Sequence, residues 1–341
     1  MQPVARPVSL RDVAHAARVH VSTVSRALNN DPKIPVSTRE RLQALARELG
    51  YQRQPLFAAM SHRRRQPRQQ EGVPLVFASH LPYERIGHTG FHLRGAQARG
   101  DTLGYNIREE PFPARLTPPF PPLNWRHRGV AGILVGPWLG QEQALLDADL
   151  AGFSVIQCGN TWCDAGYHIV RSAVFEGVAE CYRQLRSRGY RRIGFCLIRH
   201  DPPHPDDFQR EAAAHECLLR DGLLEQCPIH FEKGDAHLDL EPWLRRVKPD
   251  AIIGFHGGIR TRLLHLGYRV PGDYGFAQLI LTPDNPRNHS GIEAADPMVG
   301  STAVELLDTM IRHAETGRPE QRRVTIIDTV WNEGVTAPKV G

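Results

Sequence analysis

From Val73 to the C-terminus, short apolar runs alternate with stretches of helical periodicity, and this alternation constrains the fold more than any other feature of the chain. "PLVFASH", "YNIREE", "GVAGILVGP", "FSVIQCGN", "RRIGFCLI" and "IHFEK" read as strands, as do "PDAIIGF", "YGFAQLIL" and a closing "RRVTIIDTVW". "GFHLRGAQARGDTLGY", "VFEGVAECYRQLRSRGY", "DFQREAAAHECLLRDGL" and "PMVGSTAVELLDTMIRHAETG" read as helices, with "EPWLRRV" ahead of "PDAIIGF" and "GIRTRLLHLGY" ahead of "YGFAQLIL". A strand that passes into a helix before the next strand cannot close a tight hairpin. It predicts parallel sheets covered by helices on both faces. One segment breaks the rhythm: "PFPARLTPPFPPLNW" is too rich in proline to read as a helix.

Residues 8–51, "VSLRDVAHAARVHVSTVSRALNNDPKIPVSTRERLQALARELGY", follow a different pattern. Ser9 is a good N-cap with Asp12 three residues later, and Leu10, Val13, Ala14 and Ala17 keep helical spacing. Arg18-Val19 forms a tight turn. His20 or Ser22 caps a second helix to about Leu28, and "NNDPKIP" ends it. Ser37 or Thr38 caps a third helix with the stripe Leu42, Leu45, Ala46 and Leu49, and Gly50 stops it. Two short helices joined by a tight turn and backed by a third describe a helix-turn-helix. Ala14 is small where the first two must nearly touch, and Val21, Ser22, Ser25 and Arg26 face outward.

Charge points the same way. The first 70 residues hold thirteen Lys and Arg against four Asp and Glu, whereas the whole chain is only +5, so the remainder is acidic. A basic head on an acidic body predicts a polyanionic partner for the head. No signal peptide is expected from "MQPVARPVSL", and "GVAGILVGPWLG" is too short and too broken by Gly and Pro to span a membrane. Six scattered cysteines without C-x-x-C pairs suit reduced thiols in the cytoplasm. P-loop, H-E-x-x-H and G-x-S-x-G motifs are missing, so an enzyme is not expected, nor a cofactor. "HDPPHPDD" (200–207) is the one histidine cluster that invites a metal, but its prolines favour a surface loop, and no metal site is expected.

The segments "LRDVAHAARV…STVSRALN" and "VSTRERLQALARELGY" resemble the DNA-binding head of the lactose-repressor (LacI/GalR) family. Two positions depart from the family pattern: Arg18 stands where a glycine is usual, which predicts a positive φ, and His20 replaces the usual Ser or Thr cap. The resemblance implies that Val21 and Ser22 face base edges, that Arg26 enters the major groove, and that Ser9, Thr23, Ser25 and Asn29 contact DNA alongside them. It also implies a hinge in "YQRQPLFAAMSHRRRQPRQQEG", disordered when free and helical on operator. Met60 is its minor-groove wedge, and Arg63 and Arg64 lie against phosphate.

"FHLRGAQARGDTLGY", "RGVAGILVGP", "LRSRGYRRIGF", "KPDAIIGF", "LGYRVPGDYGFA" and "GIEAADPMVGSTAVELL" resemble landmarks of the family's effector domain. The fold class implied is an all-α helix-turn-helix head plus an α/β body of two periplasmic-binding-protein-like parallel-sheet subdomains. The expected domains are 1–53 (head), 54–71 (hinge) and 72–341 (body), the body dividing into 72–168 with 296–325 and 169–295 with 326–336. Arg210 matches the arginine that holds effectors in relatives. His256-Gly257 replaces a usual Asn-Asp, Ile280 replaces an acidic sugar ligand, and Arg171 stands where an Asp is common. Trp138, Arg171, Arg210 and His256 therefore predict an anionic or polar effector rather than a sugar. The function implied is a cytoplasmic, nucleoid-associated repressor that binds a pseudo-palindromic operator in double-stranded DNA as a homodimer, answers to an unidentified small molecule, and has no membrane partner. The alternatives are a small-molecule-binding protein whose basic head is incidental, and a regulator that has lost its effector response.

Overall fold

The computed structural model describes residues 8, 10–28, 31, 33–51, 72–79, 90–112, 121–136, 148–160, 165–233, 240–281 and 288–340. These fall into two separately packed units, the helical head and the α/β body.

The head holds α1 (Leu10–Ala17), α2 (Val21–Leu28) and α3 (Val36–Glu48). Its core is Val13, Ala14, Ala17, Val24, Ala27, Leu42 and Ala46, all buried. Arg18 takes φ 53°, the left-handed turn expected at that position, and the Val19 N–H reaches back to the Ala14 carbonyl at 3.1 Å. Gln43 Nε2 donates to the Ala27 carbonyl at 3.1 Å, satisfying an end of α2 that its own backbone cannot. The start of α3 differs from expectation. Pro35 is its N-cap, no side chain caps it, and Ser37 and Thr38 lie within the first turn. Leu49 is at the C-cap and exposed rather than part of the stripe, and Gly50 ends the helix at φ 71°.

The body contains β1 (Val73–Ser79), α4 (Gly90–Leu103), β2 (Tyr105–Pro111), α5 (Pro121–Arg128), β3 (Gly132–Val135), β4 (Ser154–Cys158), β5 (His168–Ser172) and α6 (Val174–Ser187). It continues with β6 (Ile193–Arg199), α7 (Pro205–Arg220), β7 (His230–Lys233), α8 (Leu240–Val247), β8 (Ala251–Gly254), α9 (Gly257–His265), β9 (Gly275–Leu281) and β10 (Ser290–Glu293). α10 (Asp296–Arg312), β11 (Val324–Ile327) and β12 (Val330–Asn332) complete it. The strands form two six-stranded sheets, β11-β5-β4-β3-β1-β2 and β12-β10-β9-β8-β6-β7. The first is parallel throughout; in the second only β12 runs antiparallel, against β10. Two parallel-sheet lobes are what the strand–helix alternation predicts. The chain passes between them after β5, after β10 and between β11 and β12.

Three details depart from the sequence reading. "RRVTIIDTVW" is two strands, one in each lobe, divided at Asp328-Thr329. β5 ("HIVRS") and β10 ("SGIE") are strands that the apolar pattern did not mark. The proline-rich segment ends in the helix α5. Pro121 and Pro122 sit in its first turn, where proline forfeits no hydrogen bond, and Arg126, His127 and Arg128 fill its last turn. Trp125 anchors it: the indole is fully buried against Phe112 and Phe153, and its Nε1 donates to Glu110 at 2.6 Å. In the same lobe α4 and α10 touch at Gly95 and Gly300. A Cβ on Gly300 would lie 1.9 Å from the His92 carbonyl, so only glycine permits this approach.

Candidate nucleic-acid interface and ligand cleft

The helix α2 is set by the turn before it. Val24 and Ala27 point into the head's core, which turns Ser22 and Arg26 outward. Val21, Thr23 and Ser25 are half-buried, Val21 partly against the core. The His20 imidazole caps the helix: Nδ1 accepts the Ser22 N–H at 3.3 Å and lies 2.8 Å from Ser22 Oγ. The Arg26 side chain is half exposed, and its ion pair with Asp31 spans 3.9 Å. So loose a surface pair contributes roughly 0–1 kcal/mol and yields readily to a phosphate or a base edge. Asp31, which the sequence reading passed over, also accepts the Lys33 N–H at 2.9 Å and so shapes the turn behind the helix. Ser9, Asn29, Met60, Arg63 and Arg64 lie outside the described residues.

In the body, polar side chains gather at the carboxyl ends of the strands, where ligands of open α/β sheets bind. "HDPPHPDD" is here, and it is the cap of α7. His204 Nδ1 accepts the Asp206 N–H at 3.2 Å, while Asp207 accepts the backbone N–H groups of His200 and His204 at 2.9 and 3.0 Å. The His200 ring nitrogen Nδ1 lies 2.9 Å from Asp207 Oδ1. Burial pushes the Asp207 carboxyl up, but these hydrogen bonds outweigh it and hold the group below the usual carboxylate range. Burial holds His204 below the usual histidine value, only partly offset by Asp206.

Arg210, one turn along α7, is buried. Its Nη1 is 3.4 Å from Asp207 Oδ1, its Nη2 is 3.7 Å from Asp206 Oδ2, and the guanidinium stacks 4.7 Å from the centre of the Phe255 ring. Phe255 also meets the rings of His200 and His256. His256 is the N-cap of α9, its Nδ1 accepting the Gly258 N–H at 3.0 Å. Arg171 on β5 donates from Nη1 to Gln209 Oε1 at 2.9 Å, and Asn160, after β4, donates to Asp206, so two hydrogen bonds join the first lobe to the start of α7. Arg171, Arg210 and His256 are thus gathered around α7 and Phe255. Trp138 lies outside the described residues. The sequence reading missed Phe255, Asn160 and Gln209, which carry no motif. It had a signal for the carboxylates in "HDPPHPDD" but read that stretch as a plain loop.

Three helices with an outward polar face on α2, joined in one chain to a two-lobed α/β body, define a protein with a helix-turn-helix head and a body of two parallel-sheet lobes. Residues 9–54 match the family profile of bacterial regulatory proteins, lacI family, and the head is a lacI-family helix-turn-helix domain. It is 48% identical over 48 residues to the HTH-type transcriptional repressor CytR of Escherichia coli K12 and 42% identical over 45 residues to the HTH-type transcriptional regulator MalR of Staphylococcus xylosus. These matches span 14% and 13% of the two relatives' lengths, and 14% and 13% of this chain. The fold is shared along nearly the whole chain. A lac repressor dimer bound to operator and an anti-inducer superposes with TM-score 0.59 at 18% identity, covering 98% of this chain and all of that one. The transcriptional regulator CelR in complex with cellobiose gives 0.57 at 19% identity, covering 97% and 100%. Among the described residues no helix is long and apolar enough to cross a membrane.

Proposed function

We propose that the protein is a transcriptional repressor that binds a pseudo-palindromic operator as a homodimer and is modulated by a small molecule held between the two lobes. The observation that carries the reading is the outward face of α2, with Ser22 and Arg26 exposed on a lacI-family head. Arg26 reads a guanine through paired hydrogen bonds, Val21 and Ser22 meet base edges, and Thr23 and Ser25, with Ser9 and Asn29, hold the backbone. Residues 54–71 act as the hinge, Met60 wedging into the minor groove while Arg63 and Arg64 neutralise phosphate. One head covers a half-site only, which is why a two-fold dimer is needed. The body, residues 72–341, supplies the dimer contact and the cleft, and the protein works in the cytoplasm on the nucleoid.

Arg171, Arg210 and His256, joined by Trp138, favour a polar or anionic effector over a sugar. A second reading, that the effector response is lost, is favoured by one observation: Arg210 is already opposed by Asp206 and Asp207, and Arg171 by Gln209. Selection of bound DNA from random duplexes, with and without candidate metabolites, tests both readings. The proposal expects a two-fold-symmetric site whose affinity shifts with one metabolite. Enrichment of asymmetric sites would count against the dimer, and a symmetric site indifferent to every metabolite would favour the second reading.

A further inference from the structure

Cys196, His230 and Glu232 converge at the edge of the second sheet, beside His256. Cys196 on β6 and His230 on β7 are register partners, and Glu232 follows two residues along β7, so the three side chains rise from one face. All are buried. A sulfur, a ring nitrogen and a carboxylate oxygen lie within 4.8 Å of one another. His256 Nε2 is 3.7 Å from Glu232 Oε2, but its Nδ1 accepts the Gly258 N–H, so Nε2 carries the ring proton and is not a donor to a metal.

A thiol, an imidazole and a carboxylate are seldom buried together without a common partner, because each is costly to desolvate. Among the described residues Glu232 faces one arginine, Arg262, at 3.4 Å from Oε1. That distance and the 3.7 Å to His256 both exceed the roughly 2.7–2.9 Å of a tight charge-assisted hydrogen bond, so neither side chain saturates the carboxylate. One soft, one borderline and one hard donor make up the ligand set of a thiophilic transition metal, and they do not suit calcium or magnesium. Metal–ligand bonds of about 2.0–2.3 Å in a tetrahedron put neighbouring donors roughly 3.3–3.6 Å apart. Drawing in by about an ångström, within the reach of side-chain torsions, brings the donors onto one ion.

We propose that Cys196, His230 and Glu232, completed by a water molecule, form a binding site for a divalent metal of the zinc class. Cys196 gives up its thiol proton to solvent as the sulfur–metal bond forms. Arg262, partly exposed on α9, turns outward as the metal takes its place beside Glu232. The site lies wholly within the second lobe, so the proposal is independent of DNA binding.

The test uses the full chain, stripped with chelator and titrated with Co²⁺. One ion per chain is expected, with a thiolate-to-cobalt charge-transfer band, tetrahedral visible bands, and displacement by Zn²⁺. Cys196→Ser removes the charge-transfer band. Glu232→Gln, close to isosteric, abolishes stoichiometric binding while keeping the wild-type circular dichroism, so the conclusion does not hang on the cysteine variant folding. Arg262→Gln retains or tightens binding. Failure of the wild type to take up Co²⁺, a thiolate band persisting in Cys196→Ser, or unchanged uptake by Glu232→Gln overturns the proposal.

Discussion

Arg26 in the head and Arg210 in the body are both helical arginines three to five residues from an aspartate, yet their surroundings are opposite. The Arg26 side chain keeps 51% of its surface in solvent and touches Asp31 only at 3.9 Å. Arg210 keeps 9%, lies between two carboxylates and stacks on Phe255. An exposed, weakly paired guanidinium is available to a partner, whereas a buried one is committed to its own fold. Arg26 thus presents its charge outward, whereas the charge of Arg210 is balanced within the body. This is why a DNA partner is the better supported of the two proposed partners.

The largest expected effect breaks the buried arrangement. Arg210→Ala removes the buried guanidinium between Asp206 and Asp207 and its packing on Phe255, and should cost the body about 3–5 kcal/mol, read as a fall in its denaturant midpoint. A loss below about 0.5 kcal/mol, the range of an ordinary surface change, would put Arg210 in the same class as Arg26. Arg26→Ala should leave both unfolding transitions in place but weaken operator binding by about 1–3 kcal/mol, measured by titration at fixed salt. His20→Ala removes the imidazole cap of the reading helix. It should lower head stability by about 1 kcal/mol, visible in the head's own melting, with the body unchanged.

The smallest effect is one of pH. Burial holds His168, His204 and His289 below the ordinary value of 6.5. Unfolding therefore takes up protons, and body stability should fall as pH drops through about 6.5. Asp207, held below 3.8, adds stability that is present above that value and lost as pH falls through its lower folded-state value. Thermal melts between pH 8 and pH 3 should decline steadily, and a flat profile would show that these groups are not differently solvated in the folded state.

Much of this was legible because it is local. The helix-turn-helix, the left-handed Arg18 and the His20 cap depend on residues a few positions apart, and all three are found. What escaped depends on partners far along the chain. α5 exists because Trp125 is held by Glu110 and Phe153, which no proline count reveals. β11 and β12 are one apolar run divided because its halves pair with β5 and β10 in different lobes. Phe255 meets His200 and Arg210 only when β8 is laid beside β6, and Cys196 meets His230 only through the β6–β7 register. Ser37 and Thr38 were plausible caps by type, but Pro35 started the helix before either.

The central claim is that sequence is read by the outward face of α2. The most direct test is the base-preference profile of the wild type, Arg26→Ala and Arg171→Ala, each measured on the same random-duplex library at one salt concentration. The account predicts that Arg26→Ala loses preference at one position in each half-site while the other positions hold, and that Arg171→Ala, changed only in the body, matches the wild type. An Arg26→Ala profile indistinguishable from the wild type, or an altered preference in Arg171→Ala, would contradict it.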